Sequence, residues 1–190
     1  MRITGGKAKG IQLKTLQKQS LRPTTDLVRH AIFSTLQNMS HDWHRIVDLY
    51  AGTGALGIEA LSRNAEWVDF VDQSKKCCDI IKHNLEKTGF SDRAHVYCCN
   101  VKKAITFLNN NYDVIFLDPP YSLSSIDNVL TTIASSELIG ANSMVVLCHT
   151  KHFSPNSEYD KLHLVKQSHY GDTCVSMYRR INNGNSNISR

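Results

Sequence analysis

The chain has 190 residues, 41% of them hydrophobic, which suits one domain with a full core and a small appendage. No run of about 18 apolar residues occurs, which argues against a membrane-spanning helix, and the N-terminus lacks the apolar core of a signal peptide, so the chain reads as cytoplasmic. The net charge of +5 is concentrated: residues 1–30 hold seven basic residues against Asp26 alone, and the remaining 160 hold 15 against 16.

A basic segment of this kind favours a polyanionic partner, with a solvated hairpin that binds nothing as the plainer alternative. Six cysteines stand at 77, 78, 98, 99, 148 and 174, without Cys-x-x-Cys spacing, and read as buried reduced thiols. His149-x-x-His152 beside Cys148 is a faint hint of a metal cluster, and the expectation is no metal.

In chain order, residues 1–19 predict a hairpin, with Gly5-Gly6 and Gly10 punctuating short alternating pieces. Arg22-Pro23-Thr24-Thr25-Asp26 opens a helix capped by Thr24 or Thr25, which runs through residue 39 with Leu27, Ala31, Phe33, Leu36 and Met39 at roughly helical spacing. Strands and helices then alternate. Strands are expected at 46–50, 67–71, 94–98, 112–117 and 143–148, and helices at 55–64, 75–88, 101–109 and 125–136.

This order predicts an α/β fold: a doubly wound, mostly parallel sheet with helices on both faces. Runs at 161–168 and 173–179, joined around Tyr170-Gly171-Asp172, add an antiparallel hairpin and bring the sheet to seven strands. The expected division is an N-terminal extension over 1–40, a main domain over 41–180, and a tail over 181–190 too polar to order itself. The tail contributes no core residue to that reading.

Two segments carry chemistry. Gly52, Gly54 and Gly57 form a Gly-x-Gly-x-x-Gly pattern between a strand and a helix, where backbone must turn sharply and approach a ligand. Asp72 ends the next strand, where a carboxylate can accept from both ribose hydroxyls of an adenosine. These residues alone do not separate NAD from S-adenosylmethionine. Asp48 at the end of the first strand and Asp118 at the end of the fourth favour the second, because carboxylates suit a cationic methyl donor and repel a pyrophosphate. Tyr50, Ala51 and Thr53 of the same loop, and Gln73 beside Asp72, are further expected cofactor neighbours. Asn100, with Val101, follows the third strand and can meet the adenine edge. Glu59, one turn into the helix, is either an exposed helical carboxylate or a neighbour of the cofactor's methionine end.

Asp118-Pro119-Pro120-Tyr121 follows the apolar run Val114–Leu117, and two prolines end the strand. An exocyclic amine on a nucleobase is a weak nucleophile because its lone pair is delocalised into the ring. Asp118 and the Pro119 carbonyl can accept its two N–H bonds, the prolines hold those acceptors in place, and Tyr121 can stack on an unpaired or flipped base. Without such a role the motif is a proline-rich turn after a core strand.

The chain resembles the RsmD-type 16S rRNA guanine-N2 methyltransferases, a group of class I S-adenosylmethionine-dependent enzymes. The shared stretches are Met1–Lys7, Leu21–Arg29, Asp48–Gly57 running on to Arg63, and Asp118–Tyr121. The resemblance implies a Rossmann-like fold and methylation of a guanine N2 amine in 16S rRNA, in an assembled or assembling small ribosomal subunit. It further implies RNA contacts from the N-terminal basic segment, here Arg2, Lys7, Lys9, Arg22, Thr24 and Arg29. Some relatives carry Phe at the position of Tyr121, and many end the second strand in Glu rather than Asp72. The expected oligomeric state is a monomer. Competing readings are a DNA adenine-N6 methyltransferase, for which the chain shows no target-recognition domain, and a non-catalytic RNA-binding assembly factor.

Overall fold

Apolar runs bounded by glycine, proline and capping residues become strands at almost every expected place. The computed structural model describes residues 1–16, 25–39, 43–109, 111–120 and 125–180. Tyr121, Arg22, Thr24 and the tail over 181–190 lie outside the described residues.

The strands are β1 (Arg45–Leu49), β2 (Trp67–Asp72), β3 (Ala94–Cys98), β4 (Tyr112–Leu117), β5 (Ile139–Thr150), β6 (Glu158–Tyr159), β7 (Leu162–Tyr170) and β8 (Thr173–Arg180). The helices are α1 (Asp26–Asn38), α2 (Ala55–Ser62), α3 (Lys75–Thr88), α4 (Val101–Phe107) and α5 (Ile126–Ala134). The described strands form one sheet in the order β3-β2-β1-β4-β5-β8-β7-β6. β1 to β5 pair in parallel and the last three antiparallel. Among the described residues there are eight strands rather than the expected seven. The extra one, β6, has two residues and is too short to leave a periodic signal.

Strand order reverses between β1 and β4, so their C-terminal ends open a crevice. The register pairs Leu49 with Leu117, which sets the Asp48–Tyr50 and Asp118–Pro119 segments side by side. Helices cover both faces. α1, α2 and α3 pack on one face, in a core that includes Phe33, Ile58, Phe70 and Phe116. α4 and α5 pack on the other, against Val47, Ile115 and Val145. Phe33 ties α1 to the sheet through rings of Trp43 and Phe116, at centroid distances of 5.5 and 5.6 Å.

Helix α1 is turned relative to expectation. Its buried face is Val28, Arg29, Ile32, Phe33 and Leu36, whereas Leu27 is 68% exposed. Thr25 is its N-cap and accepts from the Val28 N–H. α2 stops at Ser62, short of residue 64, because Asn64 adopts a φ of 78°. β5 begins at Ile139, earlier than expected, across a register break opposite Tyr112 and Val114.

The N-terminal hairpin joins the same core. Ile3, Ala8 and Leu13 are buried in the α1–α2–α3 cluster, and the strands of the hairpin meet through the Ile3–Ile11 and Leu13–Met1 hydrogen bonds, both 3.0 Å. Its turn lies on the C-terminal end of α2: Lys7 N–H donates to the Ser62 carbonyl at 2.8 Å, and Ala8 N–H to the Ser62 hydroxyl at 2.9 Å. Gly6 is required there, with φ of 75° and with the Ser62 carbonyl oxygen 1.9 Å from where a Cβ would stand.

Candidate active site

The loop after β1 turns by left-handed backbone at three places: Tyr50 (φ 62°), Gly52 (φ 56°) and Gly54 (φ 78°). A tyrosine in this region is uncommon and marks a held conformation. Ala51 N–H donates to Val71 at 3.0 Å, and Gly52 N–H to Asp72 Oδ2 at 2.8 Å, so the loop is fastened to the end of β2. Gly57 serves differently. A Cβ on it would stand 2.3 Å from the Phe70 ring, so α2 reaches the sheet only because this residue has none. Its N–H also donates to Asp48 Oδ2 at 2.9 Å.

Three carboxylates gather at this edge. Asp48 is wholly buried, and burial raises its pKa well above the usual carboxylate range; the Gly57 hydrogen bond works against that rise, and the charges of Asp118 and Asp72 add to it. Its Oδ1 is buried without a hydrogen-bond partner. Asp72 also accepts from Ser74 N–H through Oδ1 at 2.8 Å, and each of its oxygens retains a second lone pair for a hydroxyl donor. Asp118 follows β4, its backbone N–H directed at the Leu49 carbonyl at 3.5 Å. Pro119 is buried and Pro120 exposed.

A cluster of like charges with an orphaned buried oxygen is costly until a cation enters. The residues therefore fit a positively charged methyl donor, and the carboxylates would repel a pyrophosphate. Gln73 is exposed beside Asp72. Asn100 caps α4, its Oδ1 accepting from Lys102 N–H at 2.8 Å, and Val101 behind it is buried. Cys98 is the strand partner of Asp72, which puts Asn100 at the same edge.

Two sequence-nominated residues are elsewhere. Glu59 is neither exposed nor turned to the cofactor loop. It is fully buried, accepting from Thr4 N–H (2.8 Å), the Thr4 hydroxyl (2.7 Å) and Arg63 Nε (2.9 Å), with Arg29 Nε at 4.0 Å. Arg29 is fully buried as well, donating to the Arg2 carbonyl and, at 2.8 Å, to Asp26. A guanidinium enclosed this way cannot reach RNA, and its role is to fasten the hairpin to α1 and α2. Arg2, Lys7 and Lys9 are exposed. Lys7 and Lys9 flank the turn at Ser62, about 12 Å along α2 from the glycine loop.

The residue that sequence reasoning missed is Asn84 on α3. Its Oδ1 accepts from Lys14 N–H at 2.8 Å, while its amide donates to the carbonyls of Lys14 (3.1 Å) and of Thr53 in the glycine loop (3.0 Å). It couples the N-terminal strand to the loop, and a lone Asn in a helix gives no signal of that. The His149 hint is absorbed into packing: Nδ1–H donates to the Thr150 carbonyl, Nε2 accepts from the Ser176 hydroxyl, and burial lowers its pKa toward the neutral ring. Among the described residues no group of three or more side chains could hold a metal ion. Against the expectation of six buried thiols, Cys98 is exposed, on the edge strand β3, and Cys99 is half-buried.

The family model described as Conserved hypothetical protein 95 matches residues 1–179. The chain belongs to this family. YlbH of Bacillus subtilis, a protein named provisionally as an rRNA methyltransferase, is 33% identical over 95% of this chain and 99% of its own. Ribosomal RNA small subunit methyltransferase D of Haemophilus influenzae is 28% identical, over 94% of this chain and 93% of its own. Among solved structures, a hypothetical protein of Thermus thermophilus superposes with a TM-score of 0.81 at 27% identity, covering 93% of this chain and 98% of that one. The yhhF protein of Escherichia coli shares the fold at a TM-score of 0.84 and 22% identity, over 95% and 98% of the two chains. The protein is a methyltransferase of the RsmD type, with the Rossmann-like class I fold. Among the described residues no helix is long and apolar enough to cross a membrane.

Proposed function

We propose that this methyltransferase moves a methyl group from S-adenosylmethionine to the exocyclic N2 amine of a guanine in 16S rRNA, within a small ribosomal subunit or its assembly intermediate, acting as a monomer. The observation that carries the reading is the meeting of Asp118-Pro119-Pro120 with Asp48 and the glycine loop at the reversal of strand order. The small-subunit rRNA named for the Haemophilus relative supports the choice of substrate.

When bound, S-adenosylmethionine supplies an electrophilic methyl on a cationic sulfur. Asp72 would accept from ribose hydroxyls, and Asn100 with Val101 would border the adenine. Asp48 offers its orphaned oxygen to the positive methionine end. Asp118 and the Pro119 carbonyl accept the N–H groups of the target amine, which directs the nitrogen lone pair at the methyl. Transfer would exchange the donor's C–S bond for the new C–N bond, and the proton that the nitrogen gives up would pass to the Asp118 carboxylate that already accepts from that amine, and from there to water. Tyr121, next in the chain after Pro120, supplies a ring on which the base stacks.

Transfer of tritiated methyl groups to small subunits from cells lacking the enzyme, followed by mapping of the modified nucleotide, tests the reading. Incorporation into guanine N2 is expected, and Asp118→Ala should lower the rate by about 100- to 1,000-fold. Transfer to duplex DNA instead, or transfer indifferent to Asp118→Ala, would overturn it.

A further inference from the structure

We infer that the groove between residues 14–16 and the first turns of α3 is a docking track for the RNA phosphodiester backbone, leading to the methylation site. The inference rests on the RNA-methyltransferase reading and adds a surface to it. The groove has a volume of about 680 Å³ and is lined by Lys14, Leu16, Lys75, Lys76, Asp79 and Ile80 among others. Its floor is apolar, from half-buried Leu16 and buried Ile80, and its rim is basic.

The charge is not explained by folding. The first turn of α3 carries Lys75 and Lys76 and no acid, at the end where the helix dipole is already positive. Asp79 is engaged by Lys75 one turn on. Lys14 and Lys76 have no acidic partner among the described residues. Three sources of positive potential therefore converge on one groove: Lys76 of the helix, Lys14 of the N-terminal strand, and the helix terminus itself. An anion that enters relieves a local repulsion the fold otherwise retains.

Position gives the groove its meaning. Asn84 holds Lys14 by both backbone groups and holds Thr53 of the glycine loop with the same amide. Lys75 stands three residues after Asp72. The groove thus borders the cofactor edge, whereas Lys7 and Lys9 lie at the far end of α2. A strand whose target base is in the crevice passes Lys14 and Lys76 before it reaches the hairpin turn.

The test compares Lys14→Gln/Lys76→Gln with a charge-matched Lys103→Gln/Lys161→Gln control at exposed positions outside the groove. The probe is a fluorescent single-stranded oligoribonucleotide, titrated across a salt series, alongside methyl-transfer kinetics on small subunits. The groove variant should bind more weakly, with a log K against log salt slope shallower by about 1.4. It should also show a raised KM for RNA, with kcat and cofactor affinity unchanged. The control should keep the slope of the unaltered protein. Equal loss in both variants, or an unchanged slope in the groove variant while the unaltered protein methylates normally, would overturn the docking track. Failure of the unaltered protein to methylate rRNA would instead strike the underlying functional reading.

Discussion

Asp48 and Glu59 are both buried acids within one strand–loop–helix unit, and they do opposite things. Glu59, at the base of the N-terminal hairpin, has its oxygens taken up by Thr4 and Arg63, with Arg29 near. Asp48, at the crevice, has one oxygen held by Gly57, one orphaned, and two further carboxylates close enough to raise its pKa. A saturated buried charge holds segments together. An unsaturated one among like charges costs stability until something cationic arrives. The first region is architecture, and the second has the character of a ligand site.

The largest effect should come from Glu59→Ala. It leaves two guanidinium groups facing a void and releases Thr4, so urea unfolding should show a loss of about 3–5 kcal/mol. If the loss were a few tenths, the clamp would not be what seats the hairpin. Asp48→Asn should act with the opposite sign on stability, because an amide keeps an acceptor for Gly57 without the buried charge.

The pH dependence of that difference follows from the raised pKa. A carboxyl whose folded pKa exceeds its unfolded value favours the fold most when protonated, and that contribution is lost as pH rises through the folded pKa. The advantage of Asp48→Asn should therefore be absent in acid, grow as pH rises past the ordinary aspartate range, and level off above the raised value. Its plateau should be about 1.4 kcal/mol for every pH unit that separates the folded from the unfolded pKa. The same variant should bind S-adenosylmethionine at least several-fold more weakly by calorimetry at neutral pH. A variant both less stable and equally competent in binding would remove the contrast between the two acids.

The smallest effect is expected at the hairpin turn. Lys7→Gln should leave stability within about 0.5 kcal/mol, since its side chain is exposed and only its backbone meets Ser62. Its effect on RNA affinity should be smaller than that of Lys14→Gln/Lys76→Gln, measured on the same oligoribonucleotide. A larger effect at Lys7 would move the RNA path toward the far end of α2.

Much of the architecture was legible along the chain. β1 to β4, α3 and the closing hairpin were evident from apolar runs of strand length, from Gly89 past the end of α3 and from Gly171 between β7 and β8. The glycine loop and Asp118-Pro119-Pro120 were legible because their chemistry is local: turns need residues that tolerate them, and prolines end strands. Those constraints act between neighbours, so linear order suffices to read them.

What a side chain faces is a different matter. Glu59 looked like a cofactor neighbour because it follows the loop by one turn, but its partner Thr4 is 55 residues away. Arg29 counted toward a basic arm until packing enclosed it. Lys14 lies far along the chain from Lys75 and Lys76, and the three form one groove only because Asn84 draws the N-terminal strand along α3. Burial and charge pairing are properties of surfaces brought together by the folded chain, so they were decided in three dimensions, whereas turns, strand ends and helix caps were already written in the order of residues.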